Sequence, residues 1–447
     1  MEEVMGEFSR RDTLKTLGVA VAAGVAPTLL LPSPALAGFD VKPEKGASIR
    51  MMRWRRFIQG DEDQWLANTA KFTELTGVEV RVDNEGFEDI RPKAAMAANV
   101  GSGPDIVLGW MDDPHLFRSR LVELTDLAEY LGSKYGGWYP TAQRYGTINS
   151  GVDKGKWIGL PLGAGGALLN YRISWVKEAG FDSMPTDFDN YLKLCQTLAR
   201  NGHPPGFALS HATGDAETWS HNVLWGFGAK MVDESNKPAI NSKETIASIE
   251  YMRELYSTFI RGTLSWTGVS NNNSFLEERI SLTSNGPSIY YVAKNSEDPK
   301  LRAIAKDMNH AAFPVGPAGV PAELHLLSQA YVFGYTKYPN ACKAYLKFMW
   351  ERAQYEPWQA AATSYMCPPL KAYADTPFWK SDPKYAPFRN VVERMRWSGY
   401  AGDVGEKSAS ALADWIVVDM YAQAVSGQST PKDAARDAER RVRRAYR

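Results

Sequence analysis

Beyond its first 37 residues the chain alternates short apolar runs with longer stretches in which apolar side chains recur every three or four positions. Ser48 to Trp54 predicts a strand, and Asp61 to Thr76 a helix that places Trp65, Thr69, Phe72 and Thr76 near one face. Gly77 suits the left-handed residue that ends a helix. Val78 to Val82 predicts a second strand and Pro92 to Asn99 a second helix; after the Gly101-Ser102-Gly103-Pro104 turn, Asp105 to Trp110 predicts a third strand. Strand, helix, strand, helix, strand at this spacing means a parallel α/β sheet. The pattern resumes with a strand at Leu168 to Tyr171. A helix then opens at Thr186, which has capping-box spacing to Asp189; its expected buried stripe is Phe188, Leu192, Cys195 and Leu198. Cys342 joins Tyr345, Leu346 and Met349 at the same helical spacing, so both cysteines are expected in cores.

The opening segment has a different character. Ser9-Arg10-Arg11-Asp12-Thr13-Leu14-Lys15 precedes a mildly apolar Ala/Gly-rich stretch from Thr16 to Leu31, and Ala35-Leu36-Ala37 offers a small-x-small cleavage site. Residues 1–37 resemble a bacterial twin-arginine export signal, with Thr13 where the pattern usually has Phe. The apolar run is shorter than the ~20 residues a membrane span needs and is broken by Pro27. No cysteine stands at the cleavage site to carry a lipid. The expected product is a free periplasmic protein processed before Gly38.

With 51 basic and 51 acidic residues the chain has no excess charge to neutralise phosphates, which argues against a nucleic-acid partner. Cys195, Cys342 and Cys367 are too few and too scattered for a disulfide framework or a cysteine zinc site, and the six histidines show no ligand spacing. Nucleophile-elbow, zincin, Walker A and dinucleotide signatures are missing from the sequence. Carboxylate pairs occur at Asp61/Asp63 and Asp112/Asp113, and two carboxylates are what a glycosidase uses. Asp61 and Asp63, however, sit where a helix begins, where free amide groups and the helix dipole stabilise an acid. More informative are 14 Trp and 21 Tyr, several beside polar residues in predicted loops. Sugar C–H faces stack on such rings while carboxylates and amides hydrogen-bond the hydroxyls. Ligands of open parallel sheets sit past the carboxyl ends of the strands, and Trp110, Asp112 and Asp113 lie just past the third.

Several ordered segments carry a family resemblance. They are Phe72-Thr73-Glu74-Leu75-Thr76-Gly77-Val78-Glu79-Val80, Gly103-Pro104-Asp105-Ile106-Val107, and Gly155-Lys156-Trp157-Ile158-Gly159-Leu160-Pro161. Phe275 to Pro287, Phe313-Pro314-Val315-Gly316-Pro317 and the tail from Ser426 to Arg441 follow in order. Together these resemble the extracellular solute-binding proteins of ATP-binding cassette importers, in particular the maltose-binding-like carbohydrate group. The resemblance implies an α/β fold of two lobes, each a mainly parallel sheet flanked by helices, closing on a ligand between them. It places residues 38–156 and 310–352 in the first lobe and 157–309 and 353–447 in the second. It also implies a monomer without cofactor or metal that hands a sugar, polyol or related polar solute to a membrane permease.

Carried over by position, the implied ligand residues are Trp110, Asp112 and Asp113 in the first lobe, Asp215, Trp219, Ser288 and Tyr290 in the second, and Trp415 near the tail. Ser288 stands where maltodextrin binders have a stacking Trp, and Gly163-Ala164-Gly165-Gly166 replaces bulkier residues. A small solute is therefore expected rather than a long maltodextrin. Two other classes stay open: a secreted carbohydrate-active hydrolase using Asp112 or Asp113 with Asp215 or Glu217, and a binding protein for a cationic solute such as a polyamine.

Overall fold

The computed structural model describes residues 39–55 and 58–447, so the expected export signal lies outside the described residues. Two sheets organise the chain. The larger has six strands in the order β2-β1-β3-β8-β4-β9, and the smaller three in the order β6-β5-β7. In the larger sheet β1 (Ser48–Trp54) pairs in parallel with β2 (Glu79–Glu85), Ser48 opposite Glu79 and Trp54 opposite Glu85, and with β3 (Ile106–Trp110). The remaining members are β4 (Leu160–Gly165), β8 (Leu326–Val332) and β9 (Met366–Cys367). β5 (Leu168–Arg172), β6 (Leu282–Asn285) and β7 (Met308–Ala311) form the smaller sheet.

The two-lobed α/β architecture follows the sequence reading, but the parallel arrangement stops at three strands. β8 is antiparallel to both β3 and β4, β9 is antiparallel to β4, and every pairing of the smaller sheet is antiparallel. The cause is connectivity. β4 leads through Gly165-Gly166-Ala167 into β5 of the other sheet, and β8 returns from there after β7, so it must run against the strands that point outward. β4 and β9 pair in the larger sheet, although the sequence division placed residues 160–165 and 366–367 with the second lobe. β3 and β8 are buried at every position, as strands covered by helices on both faces must be.

The helix Gln59–Thr76 buries Trp65, Asn68, Thr69 and Phe72, and Gly77 ends it at φ 72°. Asp61, in its first turn, does more than complement the dipole. It is fully buried and ion-paired to the equally buried Arg53 of β1 at 2.7 Å, with the Trp358 indole N–H donating to its other oxygen. The helix Phe188–Arg200 is capped by Asp187, whose carboxylate accepts the Asn190 N–H at 2.9 Å, and not by Thr186. With that start the buried stripe is Phe188, Tyr191, Leu194, Cys195 and Leu198, leaving Leu192 half-buried. The three cysteines are buried, free thiols. Among the described residues no helix is long and apolar enough to cross a membrane, and no His/Cys/Asp/Glu group could hold a metal ion.

Candidate functional site

Where the two sheets face each other, a cavity of about 670 Å3, including its open mouth, is walled by both lobes and by the segments that cross between them. The first lobe contributes Trp54 and Arg55 at the carboxyl end of β1 and Phe87 just after β2, the sheet edge at which α/β ligands bind. The crossings contribute Gly165, Gly166, Ala167 and Leu326, and Tyr365 enters from the turn before β9. The second lobe supplies Gly214, Asp215 and Thr218 at the start of the helix Asp215–Gly226, together with Asn272, Asn285 and Ser288.

Sequence chemistry explains this arrangement locally. Gly214 holds φ +77°, and a Cβ there would stand 2.9 Å from the Leu326 side chain, so only glycine lets the second lobe approach the returning strand so closely. The following residue, Asp215, is thereby placed at the cavity wall. One of its carboxylate oxygens is buried without a hydrogen-bond partner. Burial, then the nearby Glu88 charge, pushes this carboxyl well above the usual range, with a weaker opposing contribution from Asn271. Beside it the amides form a chain: Asn285 Nδ2 donates to Asn272 Oδ1 at 2.5 Å, and Asn272 Nδ2 donates to Ser288 Oγ at 3.0 Å. Contacts across the mouth draw the lobes together. Gly268 N–H of the second lobe donates to Glu88 of the first at 2.9 Å, and Tyr365 packs so tightly on Gly286 that a Cβ there would sit 3.0 Å from its ring. The crossings are themselves tied: His325 Nδ1 accepts the Ala167 N–H at 3.0 Å, and its Nε2–H faces Glu323 at 2.8 Å.

Of the residues expected at the site, Asp215 and Ser288 line this cavity. Trp110 is fully buried one layer behind it, its ring 4.2 Å from Trp54 and 4.3 Å from Phe87, the two rings that do face the cavity. Asp112 is buried under Ser398 and Ser408, whose hydroxyls donate to it at 2.7 and 3.2 Å. Asp113 accepts the Trp110 N–H at 3.1 Å and pairs with Arg91 at 2.6 Å. Burial raises both carboxyls above their ordinary value, against the pull of Ser398 on Asp112 and of Arg91 on Asp113. Trp219 is a core ring of the second lobe, bonded through its indole N–H to Ala208 O and packed on Phe207. Tyr290 points to a separate depression, donating to Asp382 at 2.7 Å among Lys294 and Lys384. Trp415 stacks on His211 at 4.8 Å and borders a small void beside Glu217 and His221.

Trp54, Arg55, Phe87, Asn272, Asn285 and Tyr365 were not singled out in the sequence. Trp54 carries the same signal as Trp110, an aromatic ending a parallel strand, and could have been found by it. Tyr365 has no local signal, because the turn that presents it contains Thr363 and Ser364 in left-handed conformations at φ 50° and 46°.

Comparison with known proteins gives the family and the fold of the chain. A probable ABC transporter-binding protein of Deinococcus radiodurans is 24% identical over 262 residues, spanning 55% of this chain and 60% of that relative. An erythritol/L-threitol-binding protein of Mycolicibacterium smegmatis is 23% identical over 356 residues, 70% of each chain. Among solved structures, maltose-bound MalE3 of T. maritima superposes with a TM-score of 0.75 at 18% identity, covering 89% of this chain and 99% of that one. A tagatose-bound solute-binding protein of Thermotoga lettingae gives 0.73 at 18% identity, covering 90% and 100%. These structures share the fold. The family model for bacterial extracellular solute-binding proteins matches residues 67–387, most of the chain, and the protein belongs to that family.

Proposed function

We propose that the chain is the substrate-binding component of an ATP-binding cassette importer. It binds a small neutral polyhydroxylated solute, a polyol or monosaccharide, and hands it as a monomer to a membrane permease. The observation that carries this reading is the cavity wall itself: Trp54 and Phe87 on one side, and Asp215 with the Asn285–Asn272–Ser288 chain on the other. Rings take the C–H face of such a solute and the carboxylate and amides take its hydroxyls. Each hydrogen bond involving a charged group contributes ~1.5–3 kcal/mol and a stacked ring ~0.5–1.5 kcal/mol beyond its area, so several such contacts together are needed to offset ordering and closure. The described lining holds the Arg55 cation and a single carboxyl, Asp215, that burial favours in its neutral form, which supports a neutral solute over a polyamine.

Asp215 is the only carboxylate among the described lining residues, whereas glycoside hydrolysis uses two flanking the scissile bond; this supports binding over catalysis. Small solutes also suit the relatives: one is named for erythritol and L-threitol, and solved structures of the fold hold tagatose or ribitol. The lobes would divide at Gly165–Ala167 and between β7 and β8, near the sequence-derived boundaries at 156/157 and 309/310. Export to the periplasm would follow from Arg10-Arg11 and the Ala35-Leu36-Ala37 site. A thermal-shift panel of alditols, monosaccharides, maltodextrins and polyamines tests the reading, since a solute at 100 times its Kd stabilises by ~2.7 kcal/mol. Stabilisation by polyamines alone, or turnover of a glycan, would overturn it.

A further inference from the structure

Four titratable side chains from both lobes meet, three carboxyls out of water and Arg91 half-buried beside them. Arg91, on the helix Ile90–Val100 of the first lobe, pairs with Asp113 of the same lobe at 2.6 Å and stands 3.7 Å from Glu217 of the second. Asp112, Asp113 and Glu217 are each at most 1% exposed. Glu217 Oε2 accepts the Gly214 N–H at 2.9 Å, while Oε1 is buried with no hydrogen-bond partner. Within the first lobe Arg91 is already matched by Asp113. Bringing the second lobe down therefore adds a third carboxylate to a group holding one cation, and removes its water at the same time.

We propose, resting on the solute-binding reading, that closure of the lobes takes up a proton at Glu217, so that solute is held more tightly as pH falls. The groups facing Glu217 leave little alternative compensation. Arg91 faces it from Ile90–Val100, Asp112 and Asp113 from the turn after β3, and Tyr145 from the helix Pro140–Gly146. On its own helix His221 Nδ1–H donates to the Glu217 carbonyl, and Asp215 is a further acid. The helix Ile416–Val425 and the segment before it turn Leu412, Trp415 and Ile416 toward Glu217, and the one buried titratable group of that helix, Tyr421, is engaged with Ser248. The helix Lys243–Tyr256 and β6 bury no titratable side chain against it.

The direction follows from linkage. Burial, against the pull of Arg91, raises the closed-form Glu217 carboxyl from 4.5 to about 7. In an open cleft the carboxylate regains water and returns toward its ordinary value. The closed form then binds the extra proton, and its advantage grows as pH falls below about 7 until the open form protonates too. For a protein mainly open without solute, affinity should be about tenfold tighter at pH 6 than at pH 8.

Titration calorimetry at pH 7 in two buffers of different ionisation enthalpy, using an alditol or monosaccharide that stabilises the protein, should show uptake of about half a proton per solute bound. Glu217→Gln keeps an acceptor for the Gly214 N–H and should abolish that uptake, with less than about twofold change in affinity between pH 6 and 8. Asp113→Asn frees Arg91 for Glu217 and should reduce it. No uptake by the wild type, or undiminished uptake by Glu217→Gln, would overturn the proposal. Spin labels at Leu75→Cys and Lys243→Cys, exposed positions in opposite lobes, give a readout without solute, the native thiols being buried. Interlobe distances that shorten between pH 8 and pH 6 in the wild type but not in Glu217→Gln support proton-linked closure even if every solute fails. Tight solute binding without proton uptake rejects the linkage and leaves the solute reading standing.

Discussion

Replacing Trp110 by alanine removes a ring with no exposed surface, packed at 4.2 Å on Trp54 and 4.3 Å on Phe87. Truncation of a fully buried Trp costs about 3–5 kcal/mol, because the cavity left behind only partly collapses. At ~2–4 °C per kcal/mol for a lobe of ~150–250 residues, melting should fall by about 6–20 °C. Binding should suffer indirectly. Trp54 and Phe87 keep their own positions at the cavity wall but lose the ring that backs them, and forfeiting ~0.5–1.5 kcal/mol of ring packing corresponds to about 2- to 12-fold in affinity. Scanning calorimetry without solute, paired with titration calorimetry on the same preparation, separates the two effects. Trp110→Phe, which retains most of the volume, should recover much of the stability. If Trp110→Ala melts within about 2 °C of the wild type yet binds more than a hundredfold more weakly, the ring touches solute directly and the buried backing role is wrong.

Asp215→Asn should weaken binding about tenfold, ~1.4 kcal/mol, by replacing a carboxyl that hydrogen-bonds a solute hydroxyl with an amide of different donor and acceptor pattern, while solute-free melting holds steady or rises because a desolvated carboxyl has gone; unchanged affinity would remove Asp215 from the site. Burial pushes the Cys342 and Cys367 thiols up to about 12 and raises Cys195 further, so a thiol reagent at pH 8 should modify none of them until denaturant is added. Replacing Arg10 and Arg11 by lysine should leave unprocessed precursor in the cytoplasm, seen by fractionation and immunoblotting; normal periplasmic accumulation would reject the twin-arginine route.

Local pattern carried much of the fold. The first three strands and their two helices are close to where the pattern puts them, because Gly77 and Gly101 mark the two left-handed helix ends between them. What periodicity does not encode is strand direction. β8 is as continuously buried as a parallel strand, even at Ser328 and Gln329, and only its return from the other lobe makes it antiparallel. The site was half legible for a similar reason. An aromatic ending a strand at the sheet edge identified Trp110, but Trp54 satisfies the same rule, and which ring faces the cavity depends on how they stack. Asp215 and Ser288 came from ordered resemblance, whereas Tyr365 and the amides of Asn272 and Asn285 are assembled by tertiary contacts between segments far apart in the chain. Asp112 and Asp113 read as adjacent candidate ligands, yet one is buried under two serine hydroxyls and the other is held by Arg91.

The proposed role requires that the cavity between the lobes hold one small polyhydroxylated solute. Titration calorimetry of the mature wild-type chain with erythritol, ribitol, tagatose, glucose and maltose tests it most directly. At least one alditol or monosaccharide should bind with one-to-one stoichiometry and a Kd near the micromolar range, about 8 kcal/mol, and be recovered chemically unchanged. Absence of binding heat for all five up to millimolar concentration, or recovery of a cleaved product, would contradict the account.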